Sequence, residues 1–481
     1  MAQFINRFAR LPDALFARVK ATPLSDSRLL LWNQPLAQQL QIEAWQQQPA
    51  TLAALAGDGH LVGSEPLAAL YAGHQFGVYV PQLGDGRALW LGELAVADGQ
   101  FAELQLKGAG PTPFSRGADG RAVLRSSIRE YLASEAMHGL GIPTTRALAL
   151  FGSSQLARRE RWEPTAVVCR VAPSFIRFGS FEVLYWRGET ALLKILADFV
   201  IEQSYPDCQS AANPYEALLQ CVVLRTAELM AAWQAVGFVH GVMNSDNMSI
   251  AGLTLDYGPY GFLDCYVPDQ VFNHSDDHGR YAFSQQPRIG LWNLYCLGQA
   301  LIDLIGKDTT LAVLGQYEAH YQQAWQQNMA AKLGLREWQL DDATLVETWL
   351  TLLAEQGADY TRAHRLLAYF VNAEAAGPVR DEFVDRVAFD QWAQRYQQRL
   401  QQQNLSAIER QTMMLAANPK YILRNYMAEQ AIQQLEQHQD DSELQRLAHL
   451  LQQPYAEQEE YEAYFAHPPA WAQGIHLSCS S

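Results

Sequence analysis

Apolar and polar side chains alternate with a period of two between residues 101 and 107. Ala102, Leu104 and Leu106 fall on one face, and Glu103, Gln105 and Lys107 on the other. That alternation predicts a strand, the third of a series. Residues 76–80, Phe-Gly-Val-Tyr-Val, predict a first short strand, and 81–87, Pro-Gln-Leu-Gly-Asp-Gly-Arg, a tight glycine-bearing loop. Residues 88–95 predict a second strand, which turns at Asp98-Gly99 into the third. Upstream, residues 1–70 read as mixed loop and helix punctuated by Pro23, Pro35, Pro49 and Pro66. Downstream the period changes. Residues 121–140 predict a helix with Ile128, Tyr131, Leu132 and Ala136 at core spacing, closed by Gly139 and Gly141. Strands are expected over 144–151 and 165–171, and helices over 192–201, 215–236 and 289–305. A Gln- and Glu-rich remainder predicts helices near 311–333, 343–356, 385–403 and 426–437, with no repeat and no sustained heptads. The expected class is α+β, β-rich first and helical afterwards.

The chain has 481 residues, 49% hydrophobic and 18% charged, which fits a globular protein of two or three packed units. It has no apolar run long enough for a transmembrane helix. Arg7, Arg10, Arg18 and Lys20 crowd the N-terminus against Asp13 alone, but Pro12 interrupts any amphipathic helix and no signal-peptide core follows. The cysteines Cys169, Cys208, Cys221, Cys265, Cys296 and Cys479 show neither metal spacing nor the density of a disulfide scaffold, so a cytoplasmic setting is expected. A net charge of −16 argues against nucleic-acid and anionic-membrane partners. The charge is uneven: residues 107–187 hold twelve Lys and Arg against six Asp and Glu. A basic island in an acidic chain suits a small polyanion such as a nucleotide, although clustering on a solvated face gives the same count.

The string His240-Gly241-Val242-Met243-Asn244-Ser245-Asp246-Asn247, followed by Asp256-Tyr257-Gly258, has the spacing of the protein-kinase catalytic loop and its metal-binding Asp. Asn247 and Asp256 stand where the metal ligands stand. Val242 occupies the place of the Asp that takes the substrate proton, and it cannot take one. Asp246 is the neighbouring carboxylate that could act instead. The glycine loop with Gly84, Gly86 and Arg87, followed at strand distance by Lys107, matches a nucleotide-binding hairpin whose lysine reaches phosphate. Glu130 on the following helix is the candidate partner of Lys107, though an exposed helix glutamate would have the same spacing. Arg170 and Arg177 flank Pro173, near enough to converge on a bound anion, and either could equally be a surface arginine. Phe272-Asn273-His274-Ser275-Asp276-Asp277-His278 could be a metal cluster, but without a helix to align its histidines it reads as a structural or activation-segment loop.

These strings, with Gln105-Leu106-Lys107-Gly108, Gly117-Ala118-Asp119-Gly120-Arg121, Asn273-His274-Ser275-Asp276 and Asn418-Pro419-Lys420-Tyr421, resemble the selenoprotein O family in its bacterial form, over nearly the whole chain. The resemblance implies a protein-kinase-like bilobal pseudokinase fold that binds ATP in a flipped orientation and transfers AMP, not the γ-phosphate, to protein hydroxyls. It implies an N-terminal segment 1–75, a small lobe 76–189, a large lobe 190–320 and a helical C-terminal region 321–481. By resemblance Lys107 contacts phosphate and pairs with Glu130; Gly84, Gly86, Arg87, Asp119 and Gly120 hold the nucleotide; and Arg170 and Arg177 clamp its phosphates. Asn247 and Asp256 would hold Mg2+ or Mn2+, with Asp246 as general base. The implied partners are ATP and proteins bearing hydroxyl side chains, with self-modification possible, for a monomer. UMP transfer, atypical kinase activity and a catalytically silent nucleotide-binding scaffold are the alternatives. The chain ends Cys479-Ser480-Ser481, on what reads as a mobile tail, without the selenocysteine of selenium-containing members.

Overall fold

The computed structural model describes residues 3–96, 101–475 and 477. The turn expected at Asp98-Gly99 and the tail bearing Cys479 lie outside them. The protein combines an antiparallel sheet with many helices.

The sheet is built from β1 (Phe16–Arg18), β2 (Arg28–Trp32), β3 (Leu67–Ala69), β6 (Ala88–Ala95), β7 (Phe101–Lys107), β8 (Ala122–Val123), β9 (Arg146–Arg158) and β10 (Trp162–Ala172). A separate two-stranded hairpin joins β4 (Gly73–Gln75) to β5 (Val78–Val80). The sheet order is β1-β3-β6-β7-β10-β9-β2, with β8 pairing β10. The N-terminal region is thus not only loop and helix. It supplies three strands, two of them at the sheet edges, besides the short helices α1 (Gln34–Gln39) and α2 (Pro49–Leu55). These strands are only three to five residues long and pair with strands distant in sequence, so no local period announces them.

A second correction concerns residues 76–80. Phe76 and Gly77 form the turn of the β4–β5 hairpin, both at positive φ (50° and 83°), and β5 pairs with β4 rather than with β6. The glycine loop therefore joins this hairpin to the large sheet. The register of β7 is as expected, with Ala102, Leu104 and Leu106 in the core beneath α1 and α2. Its polar face is buried as well: Glu103, Gln105 and Lys107 point inward, towards the side where β10 ends and the helices begin.

Helix α3 (Leu124–Gly139) packs across β9 and β10. The helical region follows, with α4 (Phe178–Trp186), α5 (Thr190–Ser204), α6 (Pro214–Val236) and α7 (Gln286–Ile305). A short ladder, β11 (Phe238–Val239) with β12 (Gly261–Phe262), sits between α6 and α7. The expected helix 311–333 is two, α8 (Lys307–Leu314) and α9 (Tyr317–Lys332), divided at Gly315-Gln316. The C-terminal helices α10 (Asp342–Gln356), α11 (Tyr360–Leu367), α12 (Arg386–Gln401) and α13 (Ala407–Ala417) enclose a core centred on Trp349, Trp392 and Tyr396. Helices α14 (Asn425–His438) and α15 (Ser442–Leu450) instead return to pack on α3.

Candidate active site

Helix α6 stops at Gly237, whose φ of +70° is a left-handed cap that turns the chain back into β11. Pairing of β11 with β12 then closes residues 240–260 into a two-armed loop. The arms meet where Gly241 (φ +78°) passes Pro259, leaving no room for a side chain: a Cβ there would lie 2.3 Å from the Pro259 carbonyl oxygen. His240 ties them again, its Nε2 lying 2.9 Å from the Leu255 carbonyl oxygen and its ring stacked on Trp233. Burial lowers the pKa of this histidine, in keeping with a neutral structural ring. Asp246, Asn247 and Asp256 thereby face one cleft.

That cleft, about 620 Å³, is lined by every residue of the expected nucleotide and metal site: Gly84, Gly86, Arg87, Lys107, Asp119, Gly120, Glu130, Arg170, Arg177, Asp246, Asn247 and Asp256, and by none of the 272–278 stretch. Seven Lys and Arg line it against five Asp and Glu, a positive excess within an acidic chain. Gly84 sits at φ +118°, where a Cβ would meet the Phe114 ring at 2.6 Å. At Gly120 (φ +66°) a Cβ would strike the Gly110 backbone at 2.1 Å, so this glycine lets the 108–120 loop fold on itself.

Lys107 Nζ lies 2.6 Å from Glu130 Oε2 and 3.6 Å from Asp256 Oδ1. Glu130 is thus no surface residue. Its other oxygen accepts from Arg170 Nη1 at 2.9 Å, and the same nitrogen reaches Asp256 Oδ1 at 2.6 Å. Arg177 Nη1 donates to Asp256 Oδ2 and, at 2.8 Å, to the Asp246 carbonyl oxygen. The two arginines meet at the Asp256 carboxylate of the chain itself. Burial would raise the pKa of Asp256, but Arg177, Arg170 and Lys107 together hold it well below the usual carboxylate range. Burial lowers that of Lys107. Asp256 is also a non-glycine residue at φ +60°, a conformation that the surrounding loop imposes.

Asp246 behaves differently. Burial pushes its carboxyl up to about 6, against the opposing effects of Gln75 and Arg177. Its Oδ2 accepts from Gln75 Nε2 at 3.2 Å, whereas Oδ1 is buried without a hydrogen-bond partner. Asn247 Nδ2 donates to the Val242 carbonyl at 3.0 Å, which leaves the amide oxygen for another partner.

Sequence reasoning missed the hairpin that grips this loop. Four consecutive residues touch it. Gly73 lies against Asp246, the His74 amide donates to Ser245 Oγ at 2.7 Å, Gln75 binds Asp246, and the Phe76 amide donates to Asn244 Oδ1 at 3.1 Å. His74 is held in turn by Glu182 of α4, with Nδ1 to Oε2 at 2.5 Å. Arg159 was also missed. It pairs with Asp119 at 2.8 Å on the cleft rim, so Asp119 faces the cleft already engaged by a cation. In the 272–278 loop Asn273 donates to the Gly241 carbonyl, and Asp276 accepts from the amides of Arg280 and Tyr281.

A family model described as protein adenylyltransferase SelO matches residues 1–452, so the chain belongs to that family, as the motifs suggested. It is 53% identical over 481 residues to protein nucleotidyltransferase YdiU of Thiobacillus denitrificans, covering 99% of this chain and 98% of the relative. The proteins of the same name from Thioalkalivibrio sulfidiphilus (51% identical) and Myxococcus xanthus (50%) each match 100% of this chain and 99% of their own length. The enzyme is a nucleotidyltransferase. Among the described residues, no helix is long and apolar enough to cross a membrane.

Proposed function

We propose that this chain transfers AMP from ATP to Ser, Thr or Tyr hydroxyls of proteins. The observation that carries the reading is Asp246: a buried carboxylate with one free oxygen, beside a loop position where Val242 replaces the base of a phosphoryl-transfer enzyme. In this reading the acceptor hydroxyl oxygen attacks the α-phosphorus and its proton passes to Asp246. The bond to the β-phosphate breaks, and pyrophosphate leaves. Lys107, Arg170 and Arg177 bind the triphosphate oxygens, and the rigid backbone of the Gly84–Gly86 turn allows close approach.

A divalent cation fits the donors present. Asn247 and Asp256 offer only oxygen, as Mg2+ and Mn2+ prefer, and would hold the ion. When bound, it supplies charge neutralisation for the triphosphate. The arrangement of β7, Lys107 and Glu130 of α3 supports a kinase-like bilobal reading, with lobes 76–189 and 190–320 and a helical region 321–481. Residues 1–75 would complete the smaller lobe, since their strands enter the same sheet.

Incubation with ATP labelled at the α- or the γ-phosphate tests the reading: label should enter protein from the first and not from the second. UMP transfer is the second reading, because the relatives are named nucleotidyltransferases with no nucleotide specified. α-Labelled ATP and UTP offered in parallel separate the two.

A further inference from the structure

Beyond the nucleotide cleft, on the far side of the β4–β5 hairpin, lies a second groove of about 870 Å³. Its walls include Phe76, Arg280, Arg288, Trp292 and Tyr295. The two depressions share a partition. Gln75 lines the first and binds Asp246, while Phe76, the next residue, lines the second. The Phe76 amide is held by Asn244 and by Tyr281 OH, which itself donates to Asn244 at 2.6 Å. The groove floor and the loop bearing Asp246 are therefore one braced unit. An extended chain advances roughly 3.3–3.6 Å per residue, so a segment with its hydroxyl at Asp246 can reach the groove within a few residues.

Two arginines, Arg280 and Arg288, and two aspartates, Asp269 and Asp276, line the groove, and among the described residues the arginines are left without ion-pair partners. Among the described residues, neither Arg280 nor Arg288 has a carboxylate within ion-pair distance, and Arg280 Nε is buried without a hydrogen-bond partner. The lining aspartates are tied to neutral donors instead of to the guanidinium groups: Asp276 accepts the Arg280 and Tyr281 amides, and Asp269 accepts from Ser284. The Arg280 guanidinium is held 4.6 Å above the Trp292 ring, on the side where Gly77 leaves space. Beside it, Phe76 and Tyr295 remain 41% and 46% exposed, large apolar surfaces with nothing covering them. A fixed, partly desolvated guanidinium among open aromatic rings suits a carboxylate carried on a peptide.

We propose that this groove binds the stretch of the acceptor protein flanking the modified hydroxyl, and that it selects acidic stretches. The inference rests on the adenylyl-transfer reading for its substrate, but its binding step can be read separately. The test uses two probes, a random copolymer of glutamate and tyrosine and one of lysine and tyrosine, with the full-length protein. Binding is followed by fluorescence anisotropy, and transfer by label from α-labelled ATP. The wild type should bind and label the acidic copolymer and ignore the basic one. Arg280→Gln and the exposed Arg288→Glu should each raise the KM for the acidic copolymer about ten-fold with little change in kcat, whereas Arg288→Lys should restore it. Equal labelling of both copolymers, or unchanged KM in both arginine variants, overturns the groove and leaves the transfer reading standing. Arginine-dependent binding of the acidic copolymer without any labelling supports the groove and counts against the transfer reading.

Discussion

Gly73→Ala puts the role of Asp246 under a one-atom test. Gly73 is a buried strand residue, and a Cβ built on it would stand 2.5 Å from Asp246 Oδ1, 2.7 Å from its Cβ and 3.0 Å from its Cγ. Ordinary van der Waals contact begins near 3.4 Å, so the carboxylate must retreat by 3.4 − 2.5, about 0.9 Å. The Asp246 backbone is poorly placed to share that movement, because its carbonyl is held by Arg177 and the neighbouring Ser245 by the His74 amide. The Asp246 Cβ, only 2.7 Å away, cannot rotate clear, so the loop backbone is strained along with the carboxylate, and the bond to Gln75 is weakened or lost. A misplacement of about 1 Å in a reacting group costs on the order of 100-fold in rate, or about 2.7 kcal/mol. Overpacking costs about 1–3 kcal/mol of stability. Lys107 and Arg170 are held by Glu130 and Asp256, away from Asp246, so nucleotide affinity should change less than three-fold or so. Turnover with α-labelled ATP, nucleotide binding by calorimetry and a thermal melt separate the three quantities. A folded Gly73→Ala protein with wild-type turnover would refute the assignment of Asp246 as base.

Asp256→Asn retains a side chain that tolerates the φ of +60°, so the variant should fold yet lose divalent-dependent nucleotide binding by roughly 100-fold; binding insensitive to the change would remove Asp256 as a ligand. Lys107→Ala should weaken ATP binding while costing little in melting temperature, because Glu130 keeps Arg170 as its partner; an unfolded variant would make Lys107 structural instead. Lys332 is buried in the C-terminal core, and burial pushes its pKa down from 10.5 to about 7. Between those values the unfolded chain holds a proton that the folded chain lacks, so this residue makes stability rise with pH across the window, and the penalty is greatest below pH 7. Lys332→Met should accordingly stabilise the protein at pH 7 by several kcal/mol (roughly 3–5), an advantage that shrinks by pH 10; denaturant melts at the two pH values show whether it does. Chelation by EDTA should abolish labelling, and Mg2+ or Mn2+ should restore it.

Short-range spacing made much of the cleft legible. Lys107 closes a strand with strict alternation, Glu130 lies on a segment with apolar residues at helical spacing closed by Gly139 and Gly141, and Asn247 and Asp256 fall in one uninterrupted loop, so each could be placed before its neighbours were known. What stayed hidden depends on contacts between distant residues. The hairpin of Gly73–Gln75 with Val78–Val80 stays hidden because its turn residue Phe76, a bulky aromatic that seldom takes positive φ, reads as the start of a strand over 76–80. Pairing of β2 with β9 joins residues more than a hundred positions apart, and only the folded sheet reveals it. Arg159 looks like one of several arginines in a polar turn until the fold lays it against Asp119, 40 residues away. The meeting of Arg170 and Arg177 was foreseeable from their proximity, whereas their common partner, Asp256, was not.

The central claim is that the α-phosphate, not the γ-phosphate, is the reacting centre, with Asp246 as its base. Parallel labelling by α- and γ-labelled ATP, using wild type and Asp246→Asn, tests it most directly. The account predicts label on protein from α-labelled ATP alone, with pyrophosphate released in equal amount, and a fall of at least about 100-fold in Asp246→Asn with nucleotide still bound. Label arriving from γ-labelled ATP, or undiminished in Asp246→Asn, would contradict it.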